Sequence, residues 1–426
     1  MSETTRLSRL WYLFLLGLAT WSVTYARFIL GPLQEAVRVD LGLSDNQIAW
    51  LQGPAVAVPM AIAAIPIGIL VDRYSRTRLL YIFTVVNLVS AVWTASADNL
   101  IELFAARCLS GLSMAAVLVA SYSMVGDLYA PAQRGRATSV VGMGEVTSPP
   151  AVFALGGLLL VAAGPDVGSW RSALGGMCVP LLPAVFLLLL LREPRRIGVI
   201  ERRLAWAEIW SDLWRYRRVV LPLLLARIMV WVAVGAVLVW TAPSFARRLH
   251  LSPDRIGAIM AAVLLVSSLL GPILGGLLAD ICQRKGGPRQ TMIALTGLTF
   301  LSVFMSFFAV APNVLLACIL LGSLLTLDFT VLTAAMALGT VVMPGELRGL
   351  FVAVSLTAAT LFSDGVAPLV VSSLSGELGG ATAIGEALAL VCGITGVLGA
   401  IVFGLSRNSF ANPEVERVLE HSKLDI

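Results

Sequence analysis

Six ionisable side chains lie where the surrounding sequence is otherwise apolar: Arg27, Arg107, Glu145, Arg227, Asp328 and Asp364. A guanidinium held away from water can receive carboxylate or phosphate oxygens, and a carboxylate held there can serve as counter-ion or proton carrier. Each costs about 2.5–3.5 kcal/mol at the centre of a spanning helix on insertion scales. Six left unpaired would cost roughly 15–20 kcal/mol, more than the net stability of a typical fold, about 5–15 kcal/mol. They must therefore pair with one another or line a wet passage. Both uses stay open for each residue: a ligand or coupling site, or a brace between helices.

Helical spacing gathers these groups with other polar residues. Thr20, Thr24 and Arg27 share a face, as do Thr138, Glu145 and Ser148, and Thr357, Thr360 and Asp364. Arg107, Ser110 and Met114 share another, and Arg227 with Trp231 could offer a cation and an aromatic plane to one ligand. The expected substrate-binding set is Arg27, Arg107, Arg227, Trp231 and Met114. The expected coupling or counter-ion set is Glu145, Asp328 and Asp364. Arg27 is placed toward the outer end of its span and Arg107 nearer the middle of its own. Glu145 is the natural counter-ion, since no other carboxylate lies well inside the apolar runs of the first half.

The elements that must position these residues are apolar helices. Hydrophobic residues make up 58% of the chain and charged residues 13%, with a mean hydropathy of +0.89. Soluble domains carry about 25% charged and 45–50% apolar residues. Continuous apolar runs, each near the ~20 residues a helix needs to span a bilayer, point to an all-α membrane protein and away from a barrel. Twelve runs are read: 10–33, 47–70, 78–97, 100–127, 137–162 and 170–191, then 219–243, 255–279, 291–311, 314–342, 349–374 and 382–405. Prolines and glycines punctuate several of them, notably Pro54, Pro59 and Pro66, Pro149 and Pro150, and Gly271 to Gly276.

This pattern organises the chain as a six-helix bundle over 1–191, a linker over 192–218, a second six-helix bundle over 219–406 and a tail over 407–426. In the linker Trp206, Trp210 and Trp214 fall on one helix face among many arginines, which reads as an amphipathic helix on the membrane surface. Arg6, Arg9, Arg73, Arg76, Arg78, Arg134, Arg136, Arg284, Lys285, Arg289 and the linker arginines share one side if both termini are cytoplasmic. Arg247, Arg248 and Arg255 depart from that bias. The expected location is a bacterial inner membrane, with no cleaved leader.

Two stretches half a chain apart repeat one another: Gly68-Ile-Leu70-Val-Asp72-Arg73-Tyr-Ser-Arg76 and Gly276-Leu-Leu278-Ala-Asp280-Ile-Cys-Gln-Arg284-Lys285. Duplicated halves are the usual construction of secondary transporters. Enzyme chemistry is not expected. The histidines are His250 and His421, the five cysteines are scattered, and no HExxH, GxSxG, P-loop or metal spacing occurs. No cofactor, metal or nucleic acid is expected, and the expected partners are a small-molecule solute, protons and membrane lipids, with the chain a monomer.

Over nearly its whole length the chain resembles the major facilitator superfamily. Residues 68–78 resemble that family's loop between spans two and three, echoed at 276–285. Asp127-Leu-Tyr-Ala-Pro131-Ala-Gln-Arg134-Gly135-Arg136 is similar to its loop after span four. Within the superfamily the chain looks most like the Spinster-like transporters, through Tyr25-Ala26-Arg27, Gly42-Leu-Ser44-Asp45-Asn-Gln47, Ala106-Arg107, Trp170-Arg171 and Arg192-Glu193-Pro194. The resemblance implies two six-helix bundles around a central cavity, gating by Asp72, Arg73, Arg76, Asp280 and Arg284, and an amphipathic, lipid-like solute; Arg27 and Arg107, with fewer acids beside them than in those relatives, favour an organic anion. Spinster-like members carry carboxylates where this chain has Ala26 and Met114, so proton coupling, if present, falls to Glu145. Multidrug efflux of lipophilic cations and a non-transporting sensor that keeps the fold are the alternatives.

Overall fold

A computed structural model describes residues 3–129, 131–164, 166, 168–194, 217–343 and 345–407. Among them the regular elements are all helical. Eleven helical stretches are long and apolar enough to cross a membrane. One of these, Pro253–Val310, runs 58 residues, about three times the ~30 Å a bilayer core requires. It breaks at Gly287, whose φ of 65° lies in the left-handed region open to glycine. Counting its two limbs separately restores the expected twelve spans.

The first six spans comprise α1 (Glu3–Phe28), the short α2 (Gln34–Asp40), α3 (Asp45–Gln52) leading into α4 (Pro54–Arg73), α5 (Arg76–Ser96), α6 (Leu100–Leu128), α7 (Pro131–Ala163), and α8 (Ser169–Cys178) continued by α9 (Leu182–Leu188). The later spans are α10 (Arg217–Arg248), α11 (Pro253–Met305, both limbs of the broken helix), α12 (Val314–Val342), α13 (Gly345–Ala359) joined to α14 (Ala367–Leu378), and α15 (Ile384–Ser406). The interfacial helix expected around Trp206, Trp210 and Trp214, and the tail beyond Arg407, fall outside the described residues.

Local sequence explains where these helices begin. Ser44 and Gln47 form a reciprocal capping box at the start of α3, with the Ser44 N–H donating to Gln47 Oε1 at 2.8 Å and the Gln47 N–H to Ser44 Oγ at 3.3 Å. Asn99 and Asn313 accept the N–H of Glu102 and Leu316 at the starts of α6 and α12. Pro54 stands at the first turn of α4, where its missing N–H removes nothing. Pro149 and Pro150 sit inside α7 without ending it.

The described residues cluster into two compact units, those of Met1–Val199 with Phe245–Leu265 and those of Ile200–Ser244 with Val266–Ile426. In the first unit, a Cβ on Gly144 would collide with the Gly17 carbonyl and the Thr20 hydroxyl, so glycine is what lets α7 close on α1. Thr20 ties the same crossing by donating to the Val141 carbonyl at 2.9 Å. The end of α10 and the start of α11 cluster with this unit for two visible reasons. Gly257 packs backbone to backbone on Gly157, and Arg247 meets two carboxylates of the first hundred residues.

In the second unit the span that joins α13 to α14 opens into a π-turn at Thr360–Val366. Pro368 has no N–H to give the carbonyl of Asp364 and its ring crowds that carbonyl, so a wider turn relieves both. The Pro368 carbonyl is not lost: Trp240 Nε1 of α10 donates to it at 3.0 Å.

Candidate functional site

Arg27, Arg107, Asp328 and Arg227 are 1%, 1%, 2% and 3% exposed. None of them can be solvated as a surface charge is, and each finds a different answer.

Arg107 lies in the second turn of α6 and spends its guanidinium on backbone. Nη1 donates to the Ala26 carbonyl at 2.9 Å, Nη2 to the Arg27 carbonyl, and Nε to the Leu51 carbonyl at 3.4 Å. Ala26 and Arg27 end α1 and Leu51 ends α3, where final-turn carbonyls lack the i+4 helical N–H, Ala26 keeping only the Ile29 N–H at 3.4 Å, and where the helix dipole is negative. Arg107 is thus a buried cap for two helix C-termini. Its guanidinium reaches the backbone of Arg27 itself. Arg27 is packed with its guanidinium over the Phe28 ring at 5.0 Å.

Glu145 is half-buried on α7 and accepts from the hydroxyl of Tyr122 on α6. Met114 is packed into the apolar core of the first unit, in one cluster with Val23, Ala115 and Val117. In the second unit, Arg227 donates from Nη1 to the thioether of Met336 at 3.0 Å, while its Nε and the Nε1 of Trp231 are buried without an acceptor. Asp328 faces Ser302 and Cys392, with Oδ2 buried and unpartnered. Asp364 sits within the π-turn beside Ser363. Arg227 and Trp231 thus stand four residues apart on α10, each with a buried donor that lacks an acceptor, while Arg107 meets carbonyls and Glu145 a phenol.

The gate residues divide. Asp72 and Arg73 at the end of α4, and Asp280 and Arg284 on α11, are exposed. Arg76 is buried at the first residue of α5, where the helix dipole disfavours a cation. Two carboxylates reverse that: Asp127 from the end of α6, and Glu193 from beyond α9 at 3.2 Å. Glu193 also accepts from the Thr77 N–H at 2.9 Å, the Thr77 hydroxyl at 2.8 Å and the Ser75 hydroxyl at 2.7 Å, capping α5 from outside its own chain segment. Burial alone would raise the Glu193 carboxyl, but the bonds from Ser75, Thr77 and Arg76 outweigh it and hold it down at about 2.

A depressed carboxyl stabilises the fold above its unfolded value and loses that contribution as pH falls through the folded one. Glu193→Gln is therefore expected to lower the melting temperature at pH 7. Its deficit against the parent protein should shrink as pH falls from about 4.5 to about 2. Melting curves across that range, showing instead a constant deficit, would assign the bonds no ionic component.

At the opposite end of α4 lies a cluster that sequence spacing did not reveal. Arg247 forks onto Asp45, with Nη1 to Oδ2 at 2.8 Å and Nη2 to Oδ1 at 2.7 Å. It also donates to Glu35 Oε2 from Nη2 at 2.7 Å and from Nε at 3.1 Å. Arg38 completes the set, 2.7 Å from Glu35 and 3.8 Å from Asp45. Beside it, Asp40 accepts from Trp170 Nε1 at 2.7 Å and pairs with Arg171. The sequence signal was present but read differently: Arg247 was one of the arginines that broke the loop-charge bias. Among the described residues no group of His, Cys, Asp and Glu could hold a metal.

The family model described as Major Facilitator Superfamily matches residues 16–361. The chain belongs to that superfamily. It is a multi-pass membrane transporter and not an enzyme. A bacterial homologue of the human lysosomal transporter Spinster, solved inward-facing and unoccupied, shares the fold with a TM-score of 0.77 over 99% of each chain at 17% identity. An MFS-type efflux pump of Mycolicibacterium smegmatis is 24% identical, covering 92% of this chain and 90% of its own. The sphingosine-1-phosphate transporter SPNS2 of Danio rerio is 25% identical, covering 83% and 73%. An MFS-type transporter of Aspergillus terreus is 27% identical over 30% of this chain, and the match spans only 23% of that protein. The superfamily and Spinster-like resemblances read from the residues thus agree with these matches.

Proposed function

We propose that this superfamily member is a secondary active transporter that moves an organic anion or an amphipathic, lipid-like anionic solute by alternating access. One observation carries the reading: Arg107 and Arg227 are buried guanidinium groups, and neither has a carboxylate partner among the described residues. A protein interior with surplus positive charge is costly until an anion enters it. Arg107 is committed to carbonyls and lends the first unit its charge, whereas Arg227 retains an unused Nε donor. The SPNS2 match, a transporter named for a phosphate-bearing lipid, is compatible with this class. Glu145, held by Tyr122, is the proposed proton carrier, in place of the carboxylates absent at Ala26 and Met114. Asp72, Arg73, Asp280 and Arg284 are the proposed moving gate, both termini are cytoplasmic, and the monomer is the working unit in a bacterial inner membrane.

A second reading, efflux of lipophilic cations, is favoured by Asp328, whose buried Oδ2 lacks a partner. Uptake into proteoliposomes decides between them. Labelled organic anions are expected to accumulate and to be displaced by other amphipathic anions, not by lipophilic cations. The reverse order of competition would replace the first reading with the second. With an imposed pH gradient, Glu145→Gln is expected to retain exchange and lose gradient-driven accumulation.

A further inference from the structure

We infer that Arg227 and Trp231 form a head-group subsite in the second unit, built for an anion with two or more oxygens on one atom, a carboxylate or a phosphate, attached to an apolar body. The inference rests on the anion reading above and deepens it by naming the residues and the head-group chemistry.

α10 sets the two residues four apart, on one face and about 6 Å apart along the axis. From the first spanning residue, Val220, Arg227 lies about 10 Å into the helix and Trp231 about 16 Å. Two donors at that depth go unused: Arg227 Nε and Trp231 Nε1 are both buried with no acceptor. The acceptor that Arg227 Nη1 does have is the Met336 thioether, among the weakest a side chain offers. Buried indole N–H groups usually find a partner, and a buried guanidinium without one is dearer still. Two neighbouring residues with the same deficit on one helix face point to a common occupant.

The occupant's chemistry follows from what the subsite lacks. A sugar or alcohol head both donates and accepts, and would need carboxylate, carbonyl or hydroxyl acceptors beside these donors. Among the described residues the acceptor found by Arg227 is a sulfur atom. A cation is excluded by Arg227 itself. A group that only accepts, and does so with several oxygens, satisfies Nε and Nε1 together while neutralising the guanidinium. Met336, unbranched and polarisable, can fit itself to the apolar body that follows. Arg107, by contrast, has no comparable vacancy, since three carbonyls engage it.

The test is binding, measured by isothermal titration on the full-length purified protein with four probes of one chain length: dodecanoate, dodecyl phosphate, dodecanol and dodecyltrimethylammonium. Benzoate and inorganic phosphate are added to separate a free-anion source from a lipid-like one. The parent protein is expected to bind the two dodecyl anions. Trp231→Phe, which keeps the ring and removes the N–H, is expected to weaken them about 10-fold, and Arg227→Gln about 100-fold. Neither change should alter binding of dodecanol. Melting without ligand shows whether Arg227→Gln is folded; if it is not, Arg227→Lys and Trp231→Phe bear the test. Unchanged anion affinity in Trp231→Phe and a folded Arg227 variant would overturn the subsite and leave anion transport standing. A parent protein that binds no anion would instead overturn the transport reading and the subsite together.

Discussion

Arg107→Ala is expected to produce the largest loss of stability of any single change in the first unit, and to do so with no solute present. The substitution removes the donor from three carbonyls at the ends of α1 and α3. A buried polar group stripped of its partner costs about 1–3 kcal/mol; Ala26 keeps the Ile29 N–H at 3.4 Å, so the two carbonyls left bare would cost roughly 2–6 kcal/mol. Against a net stability of about 5–15 kcal/mol, that is a change most folds would barely survive. One effect opposes it: deleting a buried charge also deletes its desolvation penalty. Arg107→Met separates the two, because it removes the charge while filling most of the space. We expect both variants to melt lower than the parent in detergent, with alanine the worse for the cavity it adds, and Arg107→Lys to fall between. Unaltered ligand-free melting in Arg107→Ala, together with lost solute binding, would return Arg107 to the role its position in the sequence first proposes.

Reversing the charge at Arg247 is expected to have the next largest effect. Arg247→Glu would place a third carboxylate against Glu35 and Asp45, with Arg38 left as the neighbouring cation. These side chains are 13–29% exposed, so solvent screens part of the repulsion. The forked geometry and the two shared carboxylates nevertheless place the cluster above an ordinary surface pair. The expected result is a marked fall in melting temperature that Glu35→Gln or Asp45→Asn partly reverses, since each removes one repelling partner. Arg247→Glu combined with either change, melting no higher than Arg247→Glu alone, would show that the three side chains are not energetically coupled.

These two arginines also show how far the sequence could be read. Spans and the break between the two limbs of α11 follow from hydropathy and punctuation, which are local properties; that Phe245–Leu265 cluster with the first unit does not. Arg227 and Trp231 share a helix face because their spacing of four follows the helix period. Arg107 was legible as buried and charged but not as a cap, because its acceptors are backbone carbonyls and every residue carries one. Arg247 was legible only as an exception to loop charge, because its carboxylates lie 212 and 202 positions away and nothing in linear spacing pairs them. The Glu193 strap was visible as a fragment of a family pattern; its use as a cap for α5 depends on where α9 ends. Glu145 and Met114 were placed on polar faces by period alone, and packing then assigned one to a phenol and the other to the core.

The wide turn at Thr360–Val366 has a geometric consequence for everything that follows it. An α-helix advances about 100° per residue, and a π-turn accommodates one residue more than the α-period allows. The faces of α14 are therefore out of phase with those of α13 by about that angle. The stripe begun by Thr357, Thr360 and Asp364 does not continue past Pro368 on the same side. Deleting one residue between 360 and 366 would bring the two halves of this span back into phase and swing Val371, Ser372 and Ser375, now buried, away from their present neighbours. Pro368 would meanwhile turn its carbonyl from the Trp240 indole. A length change of one residue here acts as a rotation of a whole helix.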